Sequence, residues 1–411
     1  MKTPQDAWNI LAQNIVPLQG LELPLADAQG GYLAQVLLAD RDIPPADRAT
    51  MDGYALRGND LNTLPARLIV DGEIAAGSSS SLHVVSGHCV RIFTGAIIPN
   101  GADSVVPVEQ TSTKSFRDPL DDREIQIAEP ATKGSYISRQ ADHAHAGEVL
   151  LSIGTRFGPR QIGIAAATGY DRVAVHCRPV IRILTTGKEL REAHQPTAPY
   201  HTRDSNGPML LAALREAGFT HAISTIVPDS LKATTDAIVR ALNESDAVIV
   251  SGGISAGRYD YVPQSLAEAG AMILYRGVAM KPGRPQLFAM SVSHQPIFGL
   301  PGNPLSAIVG FYELVLPAMR LLAGCPVSGC RPLLHLPLGS SVSNYGDLLH
   351  VIPAVVTMER SGSCVDPRPS IGSADFVTGG RVDGAILLAP RAGNLPSGSM
   401  VPFRPWGGIG V

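Results

Sequence analysis

The sequence predicts a multidomain protein of α/β plus β architecture. A doubly wound α/β domain is expected in the second half of the chain, with flanking β-rich domains and a C-terminal β domain. Between residues 179 and 325, apolar strands alternate with helices, as in sheets that are covered by helices on both faces. Short β runs separated by Gly, Pro and Ser occupy residues 55–132, and a similar pattern returns after residue 326.

Changes of pattern near Pro179 and Pro326 define the predicted domain boundaries. The chain begins with Thr3-Pro4-Gln5-Asp6, a capping-box pattern with proline at the first helical position, so a helix is expected there. The predicted domains are an N-terminal and linking α/β-mixed domain (1–54 with 133–178), a small β domain (55–132), the α/β domain (179–325) and the C-terminal β domain (326–411).

Composition and charge exclude several classes of function. Hydrophobic residues make up 45% of the chain and charged residues 17%, which supports packed cores and argues against disorder. A net charge of -3 gives no general positive field for nucleic acid or an anionic membrane, so neither is a predicted partner. The most apolar stretch, Ala307–Leu322, contains Glu313, Pro317 and Arg320 and is shorter than the ~20 residues of a membrane span. It is predicted to be a buried helix.

The cysteines and the N-terminus predict a cytoplasmic protein. The five cysteines are scattered, odd in number and without a Cys-x-x-Cys pattern, which favours reduced thiols over a disulfide framework. The first residues include an acid at Asp6 and have no apolar segment of the kind found in signal peptides.

Two loops that follow predicted strands are candidates for binding an anion. In Ser251-Gly252-Gly253-Ile254-Ser255, the glycines let backbone N–H groups approach a phosphate and the hydroxyls can donate to it, although an ordinary glycine-rich turn has the same pattern. Gly299-Leu300-Pro301-Gly302-Asn303-Pro304 precedes a long helix, whose N-terminus offers unpaired N–H groups. Neither loop matches the nicotinamide-dinucleotide or Walker patterns, so those ligands lose support.

Charged residues near these loops could act on an anionic ligand. Lys281-Pro282-Gly283-Arg284-Pro285 places two cations on a stiff turn that could clamp an oxyanion, although a solvated basic turn is slightly favoured when this segment is taken alone. Glu189 and Asp229 each follow a predicted strand, and Asp52 and Asp260 lie among turn or aromatic residues. Such carboxylates could hold Mg²⁺ or act as bases, while any one of them alone is better explained as a cap or a surface acid.

Two other patterns support weaker hypotheses. Gly253-Ile254-Ser255-Ala256-Gly257 matches the Gly-x-Ser-x-Gly elbow of serine hydrolases, so a hydrolase that uses Ser255 is a remote alternative. An additional glycine before the elbow and the lack of an upstream oxyanion-type glycine run count against it. His143-Ala144-His145 has no third ligand at a suitable spacing and is better explained as a pair of exposed loop histidines.

Eight short motifs follow one another along the chain in an order that is specific for one protein family. They are Met51-Asp52-Gly53-Tyr54-Ala55, Arg91-Ile92-Phe93-Thr94-Gly95-Ala96, Thr185-Thr186-Gly187-Lys188-Glu189-Leu190, Asp204-Ser205-Asn206, Ser251-Gly252-Gly253-Ile254-Ser255, Asp260-Tyr261, Lys281-Pro282-Gly283-Arg284-Pro285 and Gly299-Leu300-Pro301-Gly302-Asn303-Pro304. In order and rough spacing the chain resembles the molybdopterin molybdenumtransferases, the MoeA family, to which the E-domain of gephyrin also belongs. The resemblance extends from the N-terminal helix to the last β domain.

The resemblance implies a four-part elongated homodimer, with a site between the molybdopterin-binding α/β domain of one subunit and the Asp52 and Thr94 region of the other. It implies a step of molybdenum cofactor biosynthesis. Molybdate is inserted into adenylylated molybdopterin while the adenylate link is hydrolysed with Mg²⁺ present, and AMP is released. The expected cofactor is Mg²⁺, the expected substrates are adenylylated molybdopterin and molybdate, and the expected protein partner is a molybdopterin adenylyltransferase.

The resemblance also assigns functional residues, position by position. Asp229 and Asp260 are the predicted metal ligands. The predicted catalytic residues are Asp52, Thr94, Glu189, Asp229, Asp260, Lys281 and Arg284. The predicted substrate-binding residues are Asp204, Ser205, Asn206, Ser251, Gly252, Gly253, Ser255, Pro301, Gly302, Asn303, Pro304, Ser306 and Ser373.

The chain departs from the family pattern at four places. Lys188 stands where the family usually has an acid, His143 stands where it tends to have an aspartate, and Arg284 replaces a lysine. The family's arginine-bearing motif is not found near Gly346-Asp347-Leu348. Because these positions lie near where the family handles molybdate, a catalytically weakened paralogue that carries or senses the cofactor is a second hypothesis. The four retained carboxylates favour an active enzyme.

Overall fold

The chain forms two compact units. The computed structural model describes residues 1–79, 81–116, 123–254, 260–359 and 362–407. The first unit comprises Met1–Gln35, Ile153–Gly158 and Arg172–Val411, and the second comprises Val36–Ser152 and Pro159–Asp171. The predicted four-domain division is finer than these two units, and its boundaries stay a prediction.

The second unit is built mainly from strands. Its largest sheet has five strands in the order Ser104–Pro107, Gly53–Leu56, His88–Ile92, Ala66–Ile74 and Glu124–Ile127. Side chains alternate between the two faces of a strand, so Tyr54 and Leu56 enter one apolar cluster while Ala55 enters another. The remaining elements are strands Leu37–Leu38, Arg48–Ala49, Ile137–Ser138 and Val149–Leu151, helix Pro159–Ala167 and the 3₁₀ turns Gly58–Leu61 and Val108–Gln110.

A six-stranded sheet forms the centre of the first unit. Its order is Ala222–Val227, Ile181–Thr186, Ala247–Ser251, Pro296–Leu300, Leu287–Met290 and Met272–Arg276. The first four strands are parallel. Apolar clusters on the two faces of the sheet join it to different helices, which confirms the prediction of a doubly wound α/β domain.

Strand Leu287–Met290 runs antiparallel to both of its neighbours, Pro296–Leu300 and Met272–Arg276, which the sequence pattern did not predict. The chain returns from Met290 to Pro296 through a short turn in which the Ser291 backbone N–H donates to Gln295 O. Such a turn can only join antiparallel neighbours, because a parallel connection needs a crossover of a dozen or more residues.

The apolar stretch that begins after Asn303 is a buried helix, as predicted. It continues from Pro304 to Leu322 over 19 residues, with a π-helical turn at Phe311–Val315. Among the described residues this is the one helix that is long and apolar enough to span a membrane. The prediction that this stretch is too short for a membrane span is therefore wrong. Since 94% of its most apolar window is buried inside the protein, it serves here as a core helix.

A second six-stranded sheet completes the first unit. Its main path is Met280–Lys281, Leu349–Glu359, Gly384–Leu388, Met400–Pro405 and Leu334–Pro337, with Gly362–Pro367 beside Leu349–Glu359. The edge strand comes from the α/β region and pairs Lys281 with His350. This pairing fixes the Lys281 segment beside the C-terminal sheet.

Further elements of the first unit connect or cover these sheets. The helices are Pro4–Asn14, Asn206–Glu216, Leu231–Glu244, Val262–Glu268, Pro304–Gly310, Leu316–Leu322 and Phe376–Gly379, with a 3₁₀ turn at Val327–Gly329. The remaining strands are Gly20–Pro24, Arg172–His176, Leu190–Arg191, Thr202–Arg203, Val342–Asn344 and Gly393–Leu395. The first helix has the predicted capping box, in which Thr3 Oγ1 accepts from the Asp6 backbone N–H at 3.0 Å.

Candidate active site

A cavity of about 1200 Å³ opens in the first unit at the carboxyl ends of the parallel strands. The register places the ends of three neighbouring strands side by side, with Thr185 opposite Ser251 and Ser251 opposite Leu300. Open α/β sheets bind ligands at this edge. The lining contains 17 of the 20 predicted site residues, namely Glu189, Asp204, Ser205, Asn206, Asp229, Ser251, Gly252, Gly253, Asp260, Lys281, Arg284, Pro301, Gly302, Asn303, Pro304, Ser306 and Ser373.

Three predicted site residues are not among the residues that line this cavity. Ser255 lies outside the described residues, and so does the central part of the serine-hydrolase motif. Asp52 and Thr94 belong to the second unit. There, Asp52 Oδ1 accepts hydrogen bonds from both the backbone N–H and the hydroxyl of Thr94, each at 2.8 Å. These two residues therefore form one small polar centre, although their motifs are separate in sequence.

Asn206 joins the two predicted anion-binding loops. Its Nδ2 donates to Ser251 Oγ at 2.9 Å and to Gly302 O at 2.8 Å. The Ser251 hydroxyl in turn donates to Pro301 O at 3.1 Å. Asn206 Oδ1 is buried and has no hydrogen-bond partner among the residues that the structure describes. An unpaired buried acceptor is costly, so this oxygen is suited to accept an N–H from a ligand.

Asp204 has a structural task in addition to its predicted role in substrate binding. Ser205 occupies the N-cap position of helix Asn206–Glu216, but its side chain makes no capping hydrogen bond. Asp204 Oδ1 accepts from the Gly207 N–H at 3.0 Å instead, and its Oδ2 accepts from Thr185 Oγ1 at 2.9 Å. Asp204 thereby ties the helix N-terminus to the end of the Ile181–Thr186 strand. Its predicted contact with substrate stays a prediction.

Carboxylates converge at one side of the cavity. Burial raises the pKa of Asp229 above its usual value, the Lys188 ammonium lowers it, and the charges of Glu189 and Asp260 raise it further. Within the described part of the chain, no group of three or more His, Cys, Asp or Glu residues is placed to hold a metal by itself. Mg²⁺ is usually held by one or two carboxylates together with substrate phosphates, so Asp229 and Asp260 fit the donor set that this ion requires.

The basic turn at residues 281–285 carries two cations. The side chains of Lys281 and Arg284 are exposed, and neither donates a hydrogen bond to the described part of the chain. Gly283 between them has a φ of 100°, a left-handed conformation that favours glycine. The cavity therefore presents free cationic groups at its wall.

Asn303 Nδ2 donates to Ser373 Oγ at 2.8 Å, which ties the N-terminus of the long helix to the C-terminal region.

Sequence reasoning missed several lining residues, among them Arg203, Leu348 and Phe376. Arg203 directly precedes the Asp204 motif, so its position gave a usable signal. Phe376 begins a short helix that is capped by Asp375, whose carboxylate accepts from the Thr378 N–H at 3.0 Å. Leu348 and Phe376 belong to no motif, and only folding brings them to the cavity.

The fold and the site together define an α/β protein with a large cavity at the ends of its parallel strands, where glycine-containing loops and carboxylates meet. Comparisons with known proteins identify the family. Sequence models of the MoeA N-terminal region (domain I and II) and of a probable molybdopterin binding domain match residues 2–169 and 182–321. The chain belongs to the MoeA family of molybdopterin molybdenumtransferases.

Individual relatives support this membership over nearly the whole chain. The molybdopterin molybdenumtransferase of Staphylococcus epidermidis is 30% identical over 402 residues, which covers 97% of this chain and 94% of that protein. The enzyme of that name from Nostoc sp. is 36% identical over 335 residues, or 79% of this chain and 75% of that protein. The crystal structure of a molybdopterin biosynthesis MoeA protein from Pyrococcus horikosii has a TM-score of 0.78 at 26% identity and covers 99% of both chains. The resemblance seen in the motifs is thus confirmed, and neither the serine hydrolase nor the weakened paralogue is favoured.

Proposed function

We propose that this chain is an active molybdopterin molybdenumtransferase. It inserts molybdate into adenylylated molybdopterin, and hydrolysis of the adenylate link releases AMP. Family membership supports the reaction. The observation that carries the proposal is the 1200 Å³ cavity, in which anion-binding loops, converging carboxylates and unbonded cations face a common space. Such a site neutralises negative charge on oxygen as a phosphate link breaks.

The loops at Gly252–Gly253 and Gly302–Asn303 bind the phosphate-bearing pterin. Both loops lie at the carboxyl end of the sheet, beside the start of the Pro304 helix, where anions are favoured. The polar edge of the pterin donates to Asn206 Oδ1, a buried acceptor for which the described part of the chain supplies no donor. Asp204 holds that part of the site in place through Thr185 and Gly207.

The charged groups divide into two sets. Asp229 and Asp260 would hold Mg²⁺, with Glu189 as a supporting carboxylate, and the ion when bound supplies positive charge to the phosphate oxygens. Lys281 and Arg284 bind oxygens of molybdate or phosphate. Burial raises the pKa of Asp229 overall, and the Lys188 ammonium opposes this shift. A cation at this position is therefore compatible with an active site.

The remaining parts of the proposal concern the assembly. The enzyme is a homodimer, in which Asp52 and Thr94 of one subunit complete the site of the other. It works in the cytoplasm, in agreement with the free thiols of all five cysteines. A molybdopterin adenylyltransferase supplies the adenylylated substrate, since the proposed reaction consumes an adenylate that another enzyme must form.

The proposal is tested by supplying the purified protein with adenylylated molybdopterin, Mg²⁺ and molybdate and measuring AMP release. Release should require molybdate and Mg²⁺, and it should be lost in Asp260→Asn and in Lys281→Ala. Asp236→Asn is a matched control, because Asp236 pairs with Lys232 on an exposed helix face outside the cavity. Tight binding of substrate without AMP release would favour the carrier or sensor hypothesis.

A further inference from the structure

Of the residues that the structure describes, none lines both a second cavity in the first unit and the candidate active site. Its volume is about 640 Å³, within the range of roughly 300–1,000 Å³ that is typical of small-molecule sites. Five arginines line it, and they come from segments far apart in sequence: Arg156, Arg178, Arg320, Arg331 and Arg404. This concentration of positive charge is unexpected in a chain whose net charge is -3.

Two of these arginines share a single buried carboxylate. The Glu313 side chain is only 1% exposed, and it accepts from Arg404 Nε at 3.0 Å and faces Arg331 at 3.5 Å. Arg331 Nε is buried and has no hydrogen-bond partner within the described ranges of the chain. Burial lowers the pKa of Arg331, the Glu313 carboxylate opposes this shift, and the charge of Arg404 adds to it. The triad therefore holds one positive charge in excess, in surroundings where an uncompensated charge is costly.

The other three arginines add to this excess. Arg320 donates one hydrogen bond, to Cys330 O at 2.9 Å, and Arg178 donates to Gln29 O. Arg156 is exposed and donates none to the described residues. Since a guanidinium has five N–H donors, most donors of these three side chains remain available.

Three acids and one helix end offset part of the charge. Asp27 and Glu216 line the cavity, and with Glu313 they leave an excess of two positive charges. Arg320 lies in the last turn of helix Leu316–Leu322, where a cation also stabilises the helix dipole. The helix end therefore accounts for Arg320. The other four arginines share three acids, so one positive charge is still not balanced.

We propose that this cavity is a second anion-binding site, which takes a tetrahedral oxyanion either free or as the phosphate group of a small nucleotide. The buried triad supplies the surplus charge, and Arg156, Arg178 and Arg320 supply free donors at the cavity wall. Tyr32, Phe219 and Tyr312 also line the cavity and offer aromatic surface for a planar ring. The proposal does not depend on the reaction assigned to the larger cavity.

The test is isothermal titration of the full chain with inorganic phosphate, molybdate and AMP as separate probes. The protein carries Lys281→Ala and Arg284→Ala, so that the cations of the larger cavity cannot bind the probes. At least one probe should bind with one site per chain. Adding Arg156→Gln and Arg178→Gln should weaken it at least about tenfold, because each charge-assisted hydrogen bond is worth about 1.5–3 kcal/mol. Both side chains are exposed, so these changes leave folding intact, which the thermal unfolding midpoint without ligand checks.

Arg240→Gln is the matched control, since Arg240 is an exposed arginine of the same unit that does not line the cavity. It should leave the affinity unchanged. Equal affinity for phosphate and AMP would assign the site to a free oxyanion, and tighter binding of AMP would assign it to a nucleotide. The proposal is overturned if no probe binds at millimolar concentration, or if the two cavity arginines can be replaced without loss of affinity.

Discussion

At the residue scale, Gly252 shows how the site loop depends on glycine. Its φ is 96°, in the left-handed region, and its N–H donates to Leu300 O at 3.0 Å. A Cβ at this position would overlap the carbonyl oxygen of Thr186 on the neighbouring strand. The backbone of the loop can therefore approach the adjacent strand end only because no side chain intervenes.

We expect Gly252→Ala to destabilise the protein by about 2–4 kcal/mol, since left-handed backbone costs a residue with a Cβ about 1–2 kcal/mol and the overlap adds to this cost. Gly398→Ala is the matched control. Gly398 also has a positive φ, of 83°, but an added Cβ would have no atom within 4 Å. It should cost about 1 kcal/mol. Urea unfolding of the two variants measures the difference, and equal losses would show that the contact with Thr186 is unimportant.

At the element scale, a π-helical turn in the long apolar helix positions the buried carboxylate of Glu313. The turn at Phe311–Val315 interrupts the long apolar helix and carries Glu313, which binds Arg404 of the C-terminal sheet. Glu313, which interrupts the apolar stretch in sequence, thus anchors the long helix to the C-terminal sheet.

Loss of the Glu313–Arg404 ion pair should lower the free energy of unfolding. Glu313→Gln leaves the buried Arg404 and the partly buried Arg331 without this carboxylate, and we expect a loss of about 3–5 kcal/mol in unfolding free energy. Glu244→Gln serves as the control, since the Glu244 side chain is 49% exposed beside Arg182 and such pairs contribute about 0–1 kcal/mol. Combining Glu313→Met with Arg404→Leu should restore part of the loss. A Glu313→Gln protein that is as stable as the Glu244→Gln protein would contradict this account.

These elements also show what a sequence can and cannot predict. Strand ends such as Thr186 and Ser251, and the glycine loops after them, were predictable because apolar runs and turn residues are local signals. The Glu313–Arg404 pair joins residues 91 positions apart, and Phe376 reaches the cavity only through folding of the C-terminal region. Long-range pairs of this kind leave no periodic pattern in a single sequence.

At the scale of the whole molecule, the predicted functional residues are divided between two units. Most of them line one cavity of the first unit, whereas Asp52 and Thr94 form a separate polar centre in the second. In the proposed homodimer, each site takes its cavity from one subunit and its Asp52 centre from the other. A site shared between subunits can be tested without knowledge of the dimer geometry.

Asp52→Ala and Asp260→Asn proteins should each be inactive, but unfolding and refolding them together in equal amounts should restore activity. Half of the dimers would then be mixed, and each mixed dimer has one site with both carboxylates, so about one quarter of wild-type AMP release is expected. Refolding each variant alone is the control. A mixture that remains inactive would show that the two residues do not act in a site shared between subunits.

The most direct test of the central claim compares the molybdenum bound to the pterin with the AMP released in a single turnover. The protein is mixed with adenylylated molybdopterin, Mg²⁺ and molybdate, and small molecules are then separated from the pterin product. Metal analysis and nucleotide analysis are made on the same sample. We predict one molybdenum incorporated for each AMP released, and neither product in Asp260→Asn. AMP release that proceeds without molybdate, or without molybdenum appearing on the pterin, would contradict the assignment.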